Sequence, residues 1–319
     1  ARMPRLGLGT WLAEGGGCCR EACLAALRQG LRLIDTAQAY RNEGDVGEAL
    51  RQSGVPREEV FVVTKLQTRR HGSLDEVRAA VQESLRRLQL PQVDMVLIHS
   101  PRGGMVLETY RALLTLRDEG LCRAVGVSNF GPAQLRGLTA AGLEPPEANQ
   151  VELHCWLQQR DTVAYCRKEG IAVMAYSPLA RAQMFGKTAL RGVAERRGCS
   201  EAQTAIRWVV QQGLVAIPKS AAPARIAANA AAVSGEGLSA EDLAEVDKLD
   251  FYQHASCAAA SSAMGISWAD VAEAIPDKAG ARGVGAGGGA LGGGVPSGQG
   301  GGAGGGTWGA RWTRPGRAP

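Results

Sequence analysis

Aromatic residues make up only 5% of this 319-residue chain, and it holds only four histidines. It has no run of about 18 apolar residues, so hydropathy offers no membrane-spanning helix. Its eight cysteines, at 18, 19, 23, 122, 155, 166, 199 and 257, form no CxxC pair. Cys19 and Cys23 lie four apart on a predicted helix, but no His or Cys pair follows them. Reduced thiols are therefore expected, and neither a disulfide framework nor a metal site. A charge block is missing too. Of the net +5, Arg282, Arg311, Arg314 and Arg317 supply +4 within residues 279–319, which hold no acid. The remaining +1 on residues 1–278 leaves no electrostatic footprint for nucleic acid. No GxGxxG opens a helix after a strand, and "FGKT" at 185–188 has Arg181 where a phosphate loop needs its first glycine, so it reads as a helix start. Without a signal peptide at residue 1, a cytoplasmic protein is expected, although the abrupt start "ARMPRLGLGTW" leaves a trimmed targeting segment open.

What the sequence does contain is a repeated plan. Short apolar runs recur as LRLID (31–35), VFVVTK (60–65), VDMVLIH (93–99), AVGVSN (124–129), ANQVE (148–152), IAVMAYS (171–177) and LVAIPKS (214–220). Near-continuous apolar runs suit parallel strands buried on both faces. Between them lie stretches with apolar residues at helical spacing, such as REACLAALRQG and SLDEVRAAVQESLRRL, several ending in glycine. The steps match a βαβ unit of roughly 30 residues. The last and longest has room for two helices, near 187–196 and 200–212. Seven such units imply a doubly wound sheet or an eight-stranded barrel, and the barrel is the expected fold, with AAAVS (230–234) as its eighth strand. Residues 280–316 hold 18 of the 43 glycines, a composition unable to bury enough apolar surface to fold. The expected organisation is a barrel over 1–255, a poorly defined segment over 256–278, and a disordered tail over 279–319.

"LIDTAQAYRNE" then raises a chemical question, because it ends an apolar strand on Asp35 and places Tyr40 five residues later. A single Asp closing a strand reads as a turn or cap. The next two strands, however, end in Lys65 and His99, and in a parallel barrel functional side chains gather at strand C-termini. A phenol, with a reference pKa of about 10, is a poor acid at neutral pH. An adjacent ammonium is expected to lower that pKa, and a carboxylate beside the ammonium to hold it charged and aimed. Such a set suits protonation of an oxygen becoming an alkoxide. The accompanying hydride has no side-chain source, so a nicotinamide cofactor is required.

The stretches MPRLGLGTW, IDTAQAYRNEGDVGEAL, VFVVTKL, VDMVLIHSP, AVGVSNF, NQVELH, IAVMAYSPL and IPKSAAPARIAAN, in that order and spacing, resemble the aldo-keto reductases over residues 3–254. The resemblance implies a (β/α)8 TIM barrel and NADPH-dependent reduction of aldehydes or ketones. Small, polar carbonyls are the expected substrates because Gln67 and Ser100 stand where aromatic walls are common, and a monomer without nucleic-acid or membrane partners is expected. It implies Tyr40 as general acid, Lys65 and Asp35 as its tuning pair, and His99 as the group orienting the carbonyl. For the cofactor it implies Thr10, Trp11 and Asp35, with Ser128, Asn129 and Gln150 at the carboxamide and Tyr176 stacked on the nicotinamide. Ser177 and Leu179 follow along the pyrophosphate, Lys219, Ser220 and Arg225 at the 2′-phosphate, and Asn229 near the adenine. Trp11, Tyr40, Gln67, His99 and Ser100 are implied to face substrate.

Four departures stand out. Ala228 replaces a glutamate common near the adenine, Gln67 and Ser100 replace aromatic walls, the N-terminal hairpin keeps only its second half, and resemblance fades after Asp250. Two other readings compete: a cofactor-binding regulatory subunit, and a barrel aldolase with Lys65 as Schiff-base lysine. The aldolase lysine needs a desolvated site without an ion-pair partner, whereas Asp35 is at hand.

Overall fold

A computed structural model describes residues 2–251, 254 and 255; the predicted segment 256–278 and glycine-rich tail 279–319 lie outside them. Eight strands follow in chain order: β1 (Leu8–Gly9), β2 (Leu33–Asp35), β3 (Phe61–Leu66), β4 (Val93–Ile98), β5 (Cys122–Ser128), β6 (Ala148–Glu152), β7 (Ala172–Tyr176) and β8 (Val215–Ile217). Each pairs in parallel with the next. Bridges from Leu6 to Ala216 and from Gly9 to Lys219 bring the first and last strands together, so the sheet is a (β/α)8 barrel.

The eighth strand is not AAAVS. Residues 231–233 form a single 3₁₀ turn, and the missing strand is β1, within the "LGLG" of the N-terminus. Its glycines explain both the error and the fit. They carry little strand propensity, yet a Cβ at Gly9 would stand 2.8 Å from the Ile217 carbonyl oxygen. Only a bare backbone comes close enough to close the ring.

The helices alternate with the strands: α1 (Cys18–Arg28), α2 (Glu43–Gln52), α3 (Leu74–Leu88), α4 (Val106–Asp118), α5 (Pro132–Ala140), α6 (Arg160–Lys168), α7 (Leu190–Arg196), α8 (Glu201–Gln211), α9 (Pro223–Ala230) and α10 (Ala240–Asp247). The long step after β7 does hold two helices, α7 and α8, whereas FGKT precedes α7 as a turn. Reciprocal caps start α3 (Ser73 with Glu76), α8 (Ser200 with Gln203) and α10 (Ser239 with Asp242). Each satisfies two backbone N–H groups that the first turn would otherwise leave without partners.

Strand periodicity positions the site. Leu33, Val63, Leu97, Ala148, Met174 and Ile217 pack together inside the barrel. Ile34, Val62, Val96, Val151, Val173 and Ala216 belong to the larger core shared with the helices. Side chains alternate faces along a strand, so two residues beyond each interior position comes another inward one. Those positions are Asp35, Lys65, His99, Gln150, Tyr176 and Lys219. Gly126 shares the interior, since a Cβ there would lie 2.6 Å from a Leu97 methyl, and two residues on is Ser128.

At the opposite end, Asp94 is fully buried near the start of β4. It accepts from the Val62 amide at 2.9 Å and from Arg57 and Arg123 at 2.6 and 3.0 Å.

Candidate active site

Asp35, Thr36 and Lys65 are buried at the C-terminal rim. The Lys65 ammonium donates to Asp35 Oδ1 at 2.6 Å, to the Thr36 carbonyl at 3.1 Å and to the Tyr40 hydroxyl at 3.1 Å. Its three N–H groups are thereby all used. Gln150 donates to Asp35 Oδ2 at 2.7 Å, fixing the carboxylate from the far side. Tyr40 closes the short 3₁₀ turn Gln38–Tyr40. Its ring stands edge-on to His99, with centroids 5.7 Å apart and planes at 82°. Four groups from three consecutive βα units therefore meet, as their strand positions implied.

The electrostatics differ from expectation at Tyr40. Burial raises its pKa above the ordinary 10; Lys65 opposes this, Asp35 adds to it, and the net shift is upward. The phenol is thus held protonated. Lys65 loses solvation on burial, but the charges of Asp35 and Tyr40 outweigh that and its pKa also rises. A permanently charged, paired lysine is the opposite of a Schiff-base nucleophile. His99 is pushed down to about 3 by burial, then by the charge of Lys65 and by His71. It is neutral at physiological pH, with one ring N–H to give. Neither ring nitrogen has a hydrogen-bond partner among the described residues.

At the ends of β5 to β7 the implied cofactor residues form a hydrogen-bonded chain. Tyr176 donates to Asn129 Oδ1 at 2.9 Å, Asn129 Nδ2 donates to Ser128 Oγ at 3.1 Å and to the His99 carbonyl at 3.0 Å, and Ser128 Oγ donates to the Gln150 carbonyl at 2.8 Å. Gln150 keeps its Oε1 free among the described residues while its amide N–H serves Asp35. Asn129 and Ser177 both have positive φ, 64° and 50°. Leu179, half-buried, precedes three more such residues, Ala180 to Ala182. Arg181 among them lies 5.6 Å over the ring of Trp11, linking the first loop to the seventh.

Lys219 and Arg225 are exposed and have no carboxylate partner among the described residues; Arg225 donates to the buried Ser220 at 3.4 Å. Asn229 is buried at the end of α9. Two uncompensated cations beside a hydroxyl, next to the α9 N-terminus, suit a phosphate group. The donor set therefore fits a phosphorylated dinucleotide.

Gln67 and Ser100 are less free than their place suggests. Gln67 Oε1 accepts from Arg69 at 2.6 Å, and Ser100 Oγ accepts from the Arg102 amide at 3.4 Å. Two residues escaped sequence reasoning. Asn42 precedes α2 and reads as a helix cap, yet its side chain makes no cap bond. It donates to the carbonyls of Thr10 and Ala13 at 2.9 and 3.0 Å and accepts from Thr36 at 2.9 Å. Thr10 in turn donates to the Asp35 carbonyl at 3.0 Å. Gln38 holds the Gln67 amide at 3.1 Å while donating to the Ala80 carbonyl at 2.8 Å. The signal for Asn42 was its place in the "YRNE" stretch.

The buried thiols offer no rival chemistry: a hydrogen bond with Cys19 and then burial raise Cys23, and burial raises Cys122 to about 12 and Cys166 to about 11. Among the described residues no His, Cys, Asp and Glu group is arranged to hold a metal ion, and no helix is long and apolar enough to cross a membrane.

A barrel rim that unites a carboxylate, an ammonium, a phenol and a neutral imidazole suits the delivery of a proton to a carbonyl oxygen. Residues 5–250 match the Aldo/keto reductase family model, and the chain belongs to that family. It is 41% identical over 248 residues to the glyoxal reductase of Bacillus subtilis, covering 78% of this chain and 89% of that protein. It is 40% identical over 252 residues to a 9,11-endoperoxide prostaglandin H2 reductase of Trypanosoma cruzi, covering 78% and 88%. Among solved structures, the aldo-keto reductase of Bombyx mori in complex with NADP is similar with a TM-score of 0.75 and 33% identity, covering 82% of this chain and 93% of that one.

Proposed function

We propose that the protein reduces aldehydes or ketones to alcohols with NADPH. The observation that carries this is the Lys65 ammonium held between Asp35, at 2.6 Å, and the Tyr40 hydroxyl, at 3.1 Å. Bound NADPH would supply the hydride. Tyr40 then delivers its proton to the carbonyl oxygen as negative charge develops there. The phenolate left behind is met at once by the Lys65 ammonium, and Asp35 keeps that charge in place without competing for the proton. Neutral His99 donates its ring N–H to the same oxygen and sets the angle at which the carbonyl lies. Because burial holds Tyr40 protonated, the site is poised for reduction; oxidation, needing the phenolate as base, is favoured only at higher pH. Ser128, Asn129, Gln150 and Tyr176 would hold the nicotinamide end, and Lys219, Ser220 and Arg225 the 2′-phosphate. The B. subtilis relative's name points to small dicarbonyls as first candidates. The test is NADPH consumption, followed by its absorbance, against a panel of aldehydes and ketones. No turnover with any of them, despite tight NADPH binding, would leave a cofactor-binding regulatory subunit as the better reading.

A further inference from the structure

A cleft of about 270 Å³ opens on the same rim as the site, between the loops after β2 and β3 and the helices α2 and α3. Four arginines line it: Arg41, Arg69, Arg70 and Arg87. Two carboxylates share it, and both are already engaged. Glu83 pairs with Arg70 at 3.2 Å and with Arg87. Glu43 accepts from Thr64 at 2.6 Å and pairs with Arg87 at 3.4 Å. The Arg41 guanidinium has no ion pair or hydrogen bond among the described residues, although its backbone N–H donates to the Gln38 carbonyl at 3.3 Å. Arg69 donates only through its Nε, to Gln67 Oε1 at 2.6 Å, which fixes the guanidinium and leaves its terminal N–H groups open. The cleft thus holds two positive charges more than its acids neutralise. Gly44, in the first turn of α2, adds backbone to the same wall.

Two of the cleft's lining residues are close chain neighbours of the catalytic groups. Arg41 directly follows Tyr40, and Gln67 stands two residues beyond Lys65, about 7 Å along an extended chain. A planar guanidinium with free N–H groups matches carboxylate and phosphate oxygens in pairs. We infer that this cleft is an anion subsite of the reductase, taking a carboxylate or phosphate carried a few bonds from the reacting carbonyl. This rests on the reductase reading above, and it narrows the substrate class to anionic short-chain aldehydes and ketones.

Butanal and succinic semialdehyde share a four-carbon aldehyde chain and differ in the terminal carboxylate, so the pair isolates the charge. With NADPH saturating, kcat/KM for succinic semialdehyde is expected to exceed that for butanal by about tenfold or more, the effect of one good charge-assisted contact. In Arg41→Gln/Arg69→Gln that preference should vanish through a raised KM, with butanal kinetics within about twofold of wild type. Added salt should raise the KM for succinic semialdehyde alone. Inorganic phosphate should compete with succinic semialdehyde and leave butanal turnover unchanged. Equal kcat/KM values in the wild type, or a preference that survives the double variant, would overturn the inference. Phosphate that alters butanal turnover would instead mark a separate effector site and overturn the substrate assignment. If neither aldehyde is reduced, the reductase reading fails first. Calorimetric titration with inorganic phosphate then decides the anion site: binding to wild type that is lost in the double variant supports it, and no binding to wild type refutes it.

Discussion

The two rims of the barrel each bury a carboxylate against cations, and they use it differently. At the N-terminal rim Asp94 is surrounded by the Val62 amide, Arg57 and Arg123. From there the contacts pass through guanidiniums, which cannot give up a proton, to the carbonyls of Val60 and Gln92 and the Gln92 side-chain amide. At the C-terminal rim Asp35 is surrounded by Lys65 and Gln150, and the chain continues from Lys65 to a phenol beside a neutral imidazole. One arrangement ties strands together. The other ends on a group that can lose a proton, next to a second that can give a hydrogen bond. What separates structure from chemistry here is the last member of the chain, not the buried ion pair itself.

That contrast can be broken most directly at Tyr40. Tyr40→Phe should lower kcat by about 10²–10⁴-fold, the usual worth of a positioned acid, while NADPH affinity and melting temperature stay near wild type. Retention of more than about a tenth of wild-type kcat removes Tyr40 as the acid. The reciprocal change is Asp94→Ala, expected to cost about 2–3 kcal/mol of stability in urea unfolding, with kcat/KM unchanged in the folded enzyme. The figure sits at or below the low end for buried pairs because Arg57 and Arg123 still reach water. A drop in activity without a drop in stability would erase the division between the rims.

Lys219→Ala/Arg225→Ala sharpens the same division within the upper rim. Fluorescence titration should show NADPH bound more tightly than NADH by wild type, and about equally by the double variant. Equal affinities in the wild type would remove both residues from the 2′-phosphate. His99 sets a pH dependence rather than a single loss. Its folded pKa of about 3 lies below the ordinary 6.5, so between those values the unfolded chain binds a proton that the folded chain refuses. Stability should therefore fall with falling pH in that window, with His99 contributing up to about 1.4 kcal/mol per pH unit. His99→Asn should flatten that slope, as read from urea midpoints across the window; an unchanged slope would mean His99 is solvated.

Much of this was legible in the sequence because a buried parallel strand is nearly all apolar, so a polar residue at its end stands out. Asp35, Lys65 and His99 were found that way, and the two-residue period accounts for why Gln150, Tyr176 and Lys219 also point inward. β1 was missed because closure of the barrel there depends on glycines, which suppress the very propensity that marks a strand. AAAVS was misread because an alanine run is as compatible with a turn of helix as with a strand. Asn42 was hidden by its location, where an asparagine ordinarily caps a helix. The net direction of the Tyr40 shift depends on burial, which no motif encodes. Arg41, Arg69, Arg70 and Arg87 converge only once α2 and α3 have folded over the rim.

The glycine seam between β1 and β8 also makes the ring a clasp. Three backbone hydrogen bonds fasten it, from Gly7 to Ala216, from Gly9 to Pro218 and from Ala216 to Arg5. They join the two ends of the barrel chain, the contact with the greatest loop-closure cost. Thr10 and Trp11 leave one side of the clasp, and Lys219 and Ser220 the other. A dinucleotide held by both sides would therefore act as a pin through the hasp, adding about 2.7 kcal/mol of stability at a hundred times its dissociation constant. The amides of Gly7, Gly9 and Ala216 are expected to exchange with solvent more slowly once NADP⁺ is bound; unchanged exchange at all three would show that the cofactor sits on one side of the clasp alone.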